Sequence, residues 1–226
     1  MRLLFIACIS IISFICNGQK VGQFMNETNE VMSDARGHPL FYQTTYNIEG
    51  TPFFPAEYQS AKITLNNKIY TNIKVKINLM DNTMLYDDNG VDMVTEILPR
   101  RIEFYDSAYA KPVIFKNEFP VIGRLTKQTY YQVLDSGKIT LLKNFTISYK
   151  DDKPFNNPVV TRIFEQKVNY YFFSENTMTL FNGKPETLFT MIRDKKNEVI
   201  AYINKYKLKL RNEEDLQEII SYYNSL

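Results

Sequence analysis

The sequence predicts an α+β protein. Its body is mainly antiparallel β, a sandwich or an open barrel, over residues 19–183, and a helical segment over 184–226 packs on it. Three observations predict this. Apolar residues alternate with polar ones through 61–79 and 131–149, the period of a half-buried strand. Turn residues such as Asn66-Asn67, Asp81-Asn82, Asn89-Gly90 and Ser136-Gly137 recur at short intervals. After Pro185 the apolar spacing changes to three and four, the period of helices.

Residues 1–18 have the layout of a secretory signal: Arg2, an apolar stretch from Leu3 to Ile15, then Cys16-Asn17-Gly18 as a small-x-small cleavage site. Cleavage is expected after Gly18, which makes the protein secreted or periplasmic. The apolar stretch is shorter than the roughly 20 residues a membrane span needs. A lipidated Cys16 is the alternative, opposed by bulky Ile15 where lipoproteins place a small residue. Both cysteines, Cys8 and Cys16, fall in the signal, so the expected mature chain has no thiol nucleophile, disulfide or cysteine-bound metal. Losing Arg2 leaves 26 basic residues against 25 acidic ones, a balance that points to no nucleic-acid partner. No later stretch is long and apolar enough to span a membrane.

From the mature start onward, Asn26–Asp34 reads as a short helix and Phe41–Ile48 as a strand, with breaks at Gly50-Thr51-Pro52 and at Pro55. Ala61–Leu79 reads as two strands around a three-residue loop, Asn66-Asn67-Lys68, because odd positions stay apolar across it. A two-residue loop at Asp81-Asn82 would pair Leu79 with Met84 and Ile77 with Tyr86, and Asp87-Asp88-Asn89-Gly90 closes that strand. Short strands follow at Val94–Leu98, Ile102–Tyr105 and Pro112–Phe115. The firmest hairpin is Thr129–Lys150. There Asp135-Ser136-Gly137 is a three-residue loop with Gly137 at positive φ, Val133 pairs with Ile139, and Tyr131 with Leu141. Val168–Phe173 and Thr177–Phe181 form the last hairpin, turning at Ser174–Asn176. In the tail, Pro185 opens a helix through Leu188, Met191 and Ile192; Asp194 caps a second through Val199, Ile203 and Tyr206; Asn212 caps a third through Leu216, Ile219, Ile220 and Tyr223. Each is too short to persist alone in water and must dock on something.

The tail from Leu188 to Leu226 and the hairpin from Tyr130 to Lys143 resemble uncharacterised secreted β-rich proteins of Bacteroidota that carry a short helical C-terminal tail. The resemblance implies an envelope location and brings no active site with it. The helical end departs from the β-domain tag of type IX secretion and from the aromatic terminal strand of outer-membrane barrels.

Catalytic equipment is sparse. There is no glycine-rich phosphate loop and no GxSxG motif, and His38, the single histidine, sits in a Gly-Pro loop. Asp87-Asp88-Asn89-Gly90 and Asp151-Asp152 with Asn156-Asn157 are oxygen-rich but do not fit a calcium loop, and read as solvated turns. Glu57, Glu96, Glu103 and Asp106 are the acids from which a carboxylate-dependent hydrolase would draw a pair. Lys205, Lys207, Lys209 and Arg211 alternate with Tyr206, Leu208 and Leu210 and cover a helix junction, or meet an anionic lipid. Asn26-Glu27-Thr28 and Asn144-Phe145-Thr146 are glycosylation sequons, and Asp106-Ser107-Ala108 matches a short O-glycosylation motif. No catalytic, cofactor or metal residue is assigned. The expected function is a non-enzymatic envelope interaction module that meets a protein partner through the C-terminal helices. A sugar or lipid binder is the alternative, and a hydrolase follows behind it.

Overall fold

Alternating segments become strands where one side chain in two finds an apolar neighbour, and the chain does this repeatedly from residue 46 onward. The computed structural model describes residues 46–105, 111–155 and 159–226. Its strands are β1 (Tyr46–Glu49), β2 (Phe53–Leu65), β3 (Lys68–Asn78), β4 (Thr83–Asp88), β5 (Val91–Val94), β6 (Arg101–Phe104), β7 (Val113–Lys116), β8 (Tyr131–Asp135), β9 (Thr140–Asp152), β10 (Val160–Ser174) and β11 (Thr177–Phe181). They make one eleven-stranded sheet in the order β1-β10-β9-β8-β7-β6-β2-β3-β4-β5, with β11 pairing the far half of β10. All pairs are antiparallel except β1 with β10. With the helices that follow, the class is α+β. Of the two expected forms, a sandwich or an open barrel, it is not a sandwich of separate sheets: the sheet is single, mainly antiparallel and open.

The open sheet nevertheless curls. Strands β2 and β9 stand four places apart, about 19 Å in a flat sheet, yet the rings of Phe54 and Phe145 stack at 6.4 Å. Phe115 from β7 lies between them, 4.9 Å from Phe54 and 6.1 Å from Phe145. The concave face thus fills its own interior with Ala61, Val75, Ile77, Ile102, Phe104 and Phe115, all fully buried. Past β9 the same face is too open to fill itself, and helices cover it.

Those helices are α1 (Pro185–Met191), α2 (Lys196–Tyr206) and α3 (Glu213–Ser225), with a 3-10 turn at Arg193–Lys195 before α2. Their apolar stripes bury Leu188, Ile192, Val199, Leu216, Ile219, Ile220 and Tyr223 against Ile139, Leu141, Phe172 and Phe181 of the sheet. Asn212 caps α3 as expected, its side chain accepting from the Asp215 N–H at 2.9 Å. Asp194 does not cap α2; its carboxylate accepts the Tyr223 hydroxyl at 2.9 Å and ties the turn to α3 instead. On the opposite face of β8–β11 a third cluster gathers Phe119, Tyr131, Leu142, Tyr171 and Met178. The start of β9 is therefore buried on both faces, which explains why Leu142 breaks the alternation.

Several register and boundary expectations are corrected. The β2–β3 loop has two residues, not three: Leu65 pairs with Lys68, and Asn66 and Asn67 both take positive φ, 49° and 62°. A bulge near Asn72 (φ 58°) restores the odd parity that suggested a longer loop, so Ala61 pairs with Ile73. The β3–β4 loop is four residues long, with Ile77 opposite Met84, because the Asn78 side chain accepts from the Met80 and Asp81 N–H groups and draws the turn outward. In the β8–β9 hairpin Val133 pairs with Leu142, not Ile139, and a bulge follows at Asp135. Gly137 has no positive φ. It is required because a Cβ there would lie 2.5 Å from the Asn224 Cγ of α3. Lastly, β5 spans Val91–Val94 rather than Val94–Leu98, β10 begins eight residues before the expected Val168, the final turn is Glu175-Asn176 alone, and Pro55 lies within β2 rather than breaking the chain. The expected helix at 26–34 and most of the strand at 41–48 fall outside the described residues.

Strand β5 ends the sheet, and no described strand pairs its outer edge. Val91 and Val94 are exposed there, while Asp92 between them reaches back to the Lys76 ammonium at 3.1 Å.

Candidate binding groove

The last helix presents two unlike sides. Its apolar stripe is consumed by the core, and the other side carries Glu214, Gln217, Glu218, Ser221 and Ser225, spaced three and four apart on one surface. That side overlooks the place where β7 and β8 part. Their pairing ends at Ile114 with Val133, so Val113 and Leu134 are not bonded to each other. The Leu134 carbonyl is met instead by the Gln217 amide, which donates to it at 2.6 Å. A side chain from α3 thus stands where the neighbouring strand would have continued, and a groove opens beside it.

The groove has a volume of about 1130 Å³. Glu213, Glu214, Gln217, Glu218 and Tyr222 of α3, Tyr202 of α2, Glu103 of β6 and the β8 segment Gln132–Asp135 line it, with Lys111 at the entrance to β7. Among the described lining residues five carboxylates face one ammonium, but they are not equally engaged. Glu213 is taken by Lys143 at 2.7 Å and by the Tyr170 hydroxyl. Burial pulls the Glu103 carboxyl up, but Arg101 at 2.6 Å and Lys62 at 3.6 Å outweigh it and hold it below its ordinary value. Asp135 accepts from the Asn224 amide at 2.6 Å, which leaves its charge uncancelled. Glu218 accepts the Tyr202 hydroxyl at 2.8 Å and pairs with no cation among the described residues. Glu214 is exposed and pairs with no cation among the described residues. The groove is therefore negative at its α3 rim and along Asp135.

Two tyrosines build one wall. Tyr202 and Tyr222 stack face to face at 3.9 Å and 8°, and Tyr206 leans on Tyr202 at 4.7 Å. The hydrogen bond to Glu218 pushes the Tyr202 phenol up to about 12. Such a wall offers ring edges and outer faces for aliphatic or cationic groups.

The residues singled out from sequence lie elsewhere. Glu57 and Glu96 are exposed on separate strands or loops, and Glu103 lines the groove. Asp87 accepts from the Gly90 N–H in an exposed turn. Asp151 forms a two-point pair with Arg162 at 2.8 Å, which holds its carboxyl below the usual range. Asn144 is 3% exposed in the middle of β9, so its sequon is closed to a glycan in the folded protein. In the basic run, Lys207 ends α2 in a left-handed turn, Leu208 and Leu210 pack on the helical core, and Arg211 lies over Gly183. That is the helix-junction reading. His38, Asn26, Asp106, Ser107 and Asn156-Asn157 are outside the described residues. Among the described residues no group of three His, Cys, Asp or Glu side chains is placed to hold a metal. No described helix is long and apolar enough to cross a membrane.

From sequence the stretch after Asn212 reads only as the capped start of a helix. The spacing of Glu214, Gln217, Glu218 and Ser221 was the available signal for an unburied polar side. No family model, characterised protein or solved structure matches this chain.

Proposed function

We propose that this protein is a non-enzymatic interaction module of the cell envelope, exported by its first residues, and that the α3 groove holds an extended lysine- or arginine-bearing segment of a partner protein. The observation that carries this is the charge of the groove: among its described lining residues, Glu214, Glu218 and Asp135 pair with no cation, and Lys111 is the one ammonium. A volume near 1130 Å³ exceeds the roughly 300–1,000 Å³ of small-molecule sites and suits several side chains of a peptide. The apolar stripes of the helices are buried against the sheet, so a partner meets their polar side rather than inserting between them. Complementary charge of this kind sets specificity and the rate of encounter more than raw affinity.

Fluorescence anisotropy with a labelled lysine-rich peptide and its glutamate counterpart tests the reading. The lysine peptide binds, the glutamate peptide does not, and Glu214→Lys with Glu218→Lys weakens binding by about tenfold or more. Equal binding of the two peptides, or an unchanged affinity in the double variant, sinks the proposal.

A further inference from the structure

The convex face of β2, β6 and β7 carries charge in a fixed arrangement. On these strands Ala61, Ile63, Ile102, Phe104 and Phe115 are buried in the concave core, so Lys62, Arg101, Glu103 and Lys116, which alternate with them, lie on the convex side. Arg101 stands directly opposite Lys116 across β6 and β7, and Lys62 directly opposite Glu103 across β2 and β6. We infer that this cluster is a binding site for a phosphate group, borne by a small molecule or by a lipid.

The argument begins with the like-charged pair. Strands lie about 4.8 Å apart, and two cations directly opposite each other on neighbouring strands destabilise the sheet. Both residues are half-buried, which removes part of the water that would screen them. Glu103 does not resolve the conflict. It takes the Arg101 Nε at 2.6 Å and the Lys62 ammonium at 3.6 Å. Lys116 forms no ion pair or hydrogen bond among the described residues. Burial, then the Arg101 charge, lower the Lys116 ammonium below its ordinary value, and Glu103 offsets this in part. Local features that work against the fold in this way gather at functional sites.

Charge and donors together define the ligand. Three cations against one carboxylate leave two positive charges. A phosphomonoester carries roughly −1.5 to −2 at neutral pH and matches them, whereas a single carboxylate would cancel half. Arg101 spends its Nε on Glu103, and its terminal nitrogens bond to nothing among the described residues. These nitrogens and the Lys116 ammonium donate and cannot accept, so the ligand must accept at every contact. Phosphate oxygens do so, and a planar guanidinium meets two of them at once. Thr64, opposite Arg101 on β2, adds a hydroxyl to the same row. A polyanion such as nucleic acid would need a wider basic surface, and the whole chain holds 27 basic residues against 25 acidic ones.

The cations are in place before a ligand arrives. The β2–β6 and β6–β7 ladders fix their spacing, and Glu103 holds the Arg101 guanidinium and the Lys62 ammonium from one side. Both reduce the ordering cost of binding. Glu103 also lines the α3 groove, but Lys62, Arg101 and Lys116 are not among the residues that do. The phosphate site is therefore a separate surface of opposite charge.

Calorimetric titration of the full chain tests the inference. The probes are inorganic phosphate, glycerol phosphate, acetate, and phosphatidylcholine vesicles with and without phosphatidic acid. Saturable binding of a soluble phosphate identifies a small-molecule source, and binding of the phosphatidic acid vesicles alone identifies a lipid; either supports the site. Lys116→Gln weakens that binding by about tenfold or more, the loss of one charge-assisted contact. It does so without lowering the melting temperature, because it also removes the repulsion from Arg101. Lys116→Arg retains the binding. The Glu214→Lys, Glu218→Lys double variant binds the probe at least as well as the parent, which separates this site from the α3 groove. The inference is overturned if no phosphate-bearing probe binds or if acetate binds as tightly. It is also overturned if Lys116→Gln binds unchanged, or loses binding only together with its melting temperature.

Discussion

Asn224 fastens the last helix to the sheet, and replacing it with alanine measures that fastening. Its carbonyl oxygen accepts the Ile139 N–H at 3.0 Å, and its amide donates to the Ile139 carbonyl at 2.9 Å and to Asp135 at 2.6 Å. Because the Ile139 N–H can only donate, the orientation of the amide is determined. Ile139 is 1% exposed, so water cannot take over both bonds. Each bond contributes a net 0.5–1.5 kcal/mol or so, and groups left buried and unpaired cost more. The expected loss is about 2–4 kcal/mol. For a chain of this size that lowers the melting temperature by roughly 5–15 °C. Urea unfolding followed by circular dichroism gives the free energy directly, and tyrosine emission serves as a second probe because the chain has 16 tyrosines and no tryptophan. Asn224→Asp refines the test. It keeps the acceptor for Ile139 but sets a carboxylate against Asp135 and a carbonyl, so it is nearly as damaging at neutral pH and recovers as acid returns a proton to donate. A loss below about 0.5 kcal/mol for Asn224→Ala, the scale of an ordinary surface change, or an Asn224→Asp variant indifferent to pH, would refute the reasoning.

Two further outcomes follow from the packing and the ion pairs. Deleting Lys184–Leu226 removes seven buried side chains, on the order of 10–20 kcal/mol of apolar burial against a total stability of about 5–15; circular dichroism of the truncated chain should show lost β-structure, and a cooperatively folding truncation would contradict the shared core. Glu103 is held below its ordinary 4.5 by Arg101 and Lys62 despite burial. Its folded pKa is thus lower than its unfolded one, so its contribution is complete above about pH 4.5 and is lost as pH falls through the folded value. Glu103→Gln should therefore flatten the acid limb of the stability profile in urea titrations below about pH 4.5, and an unchanged limb would remove the pair from the account.

The sequence shows most strands because alternation is a local property. Residues 61–65, 73–77, 102–104 and 145–149 alternate, and each is a strand in place. Registers were harder, because they depend on single side chains acting on backbone: the Asn78 turn, the left-handed Asn72 and the close approach of Asn224 to Gly137. Strand order was not legible at all. Nothing local tells Ile63 that its neighbour is Ile102, or Tyr46 that it will run parallel to Val160. The same limit hid the groove. Glu214 and Glu218 have an adequate local explanation as the polar side of a helix, and the groove exists only because β7 and β8 part across from them.

The edge strand β5 governs how the protein behaves in concentrated solution. Val91, Met93 and Val94 give it the apolar character that lets like edges zip together, and Asp92 in its middle opposes this, since two such edges meeting would bring carboxylates together. The Tyr58 hydroxyl and the Lys76 ammonium beside Asp92 hold its carboxyl below the ordinary range. The repulsion that keeps copies apart therefore survives into more acidic buffers than a free aspartate would allow. Storage at mildly acidic pH is expected to keep this guard in place, and light scattering followed through an acid titration checks it.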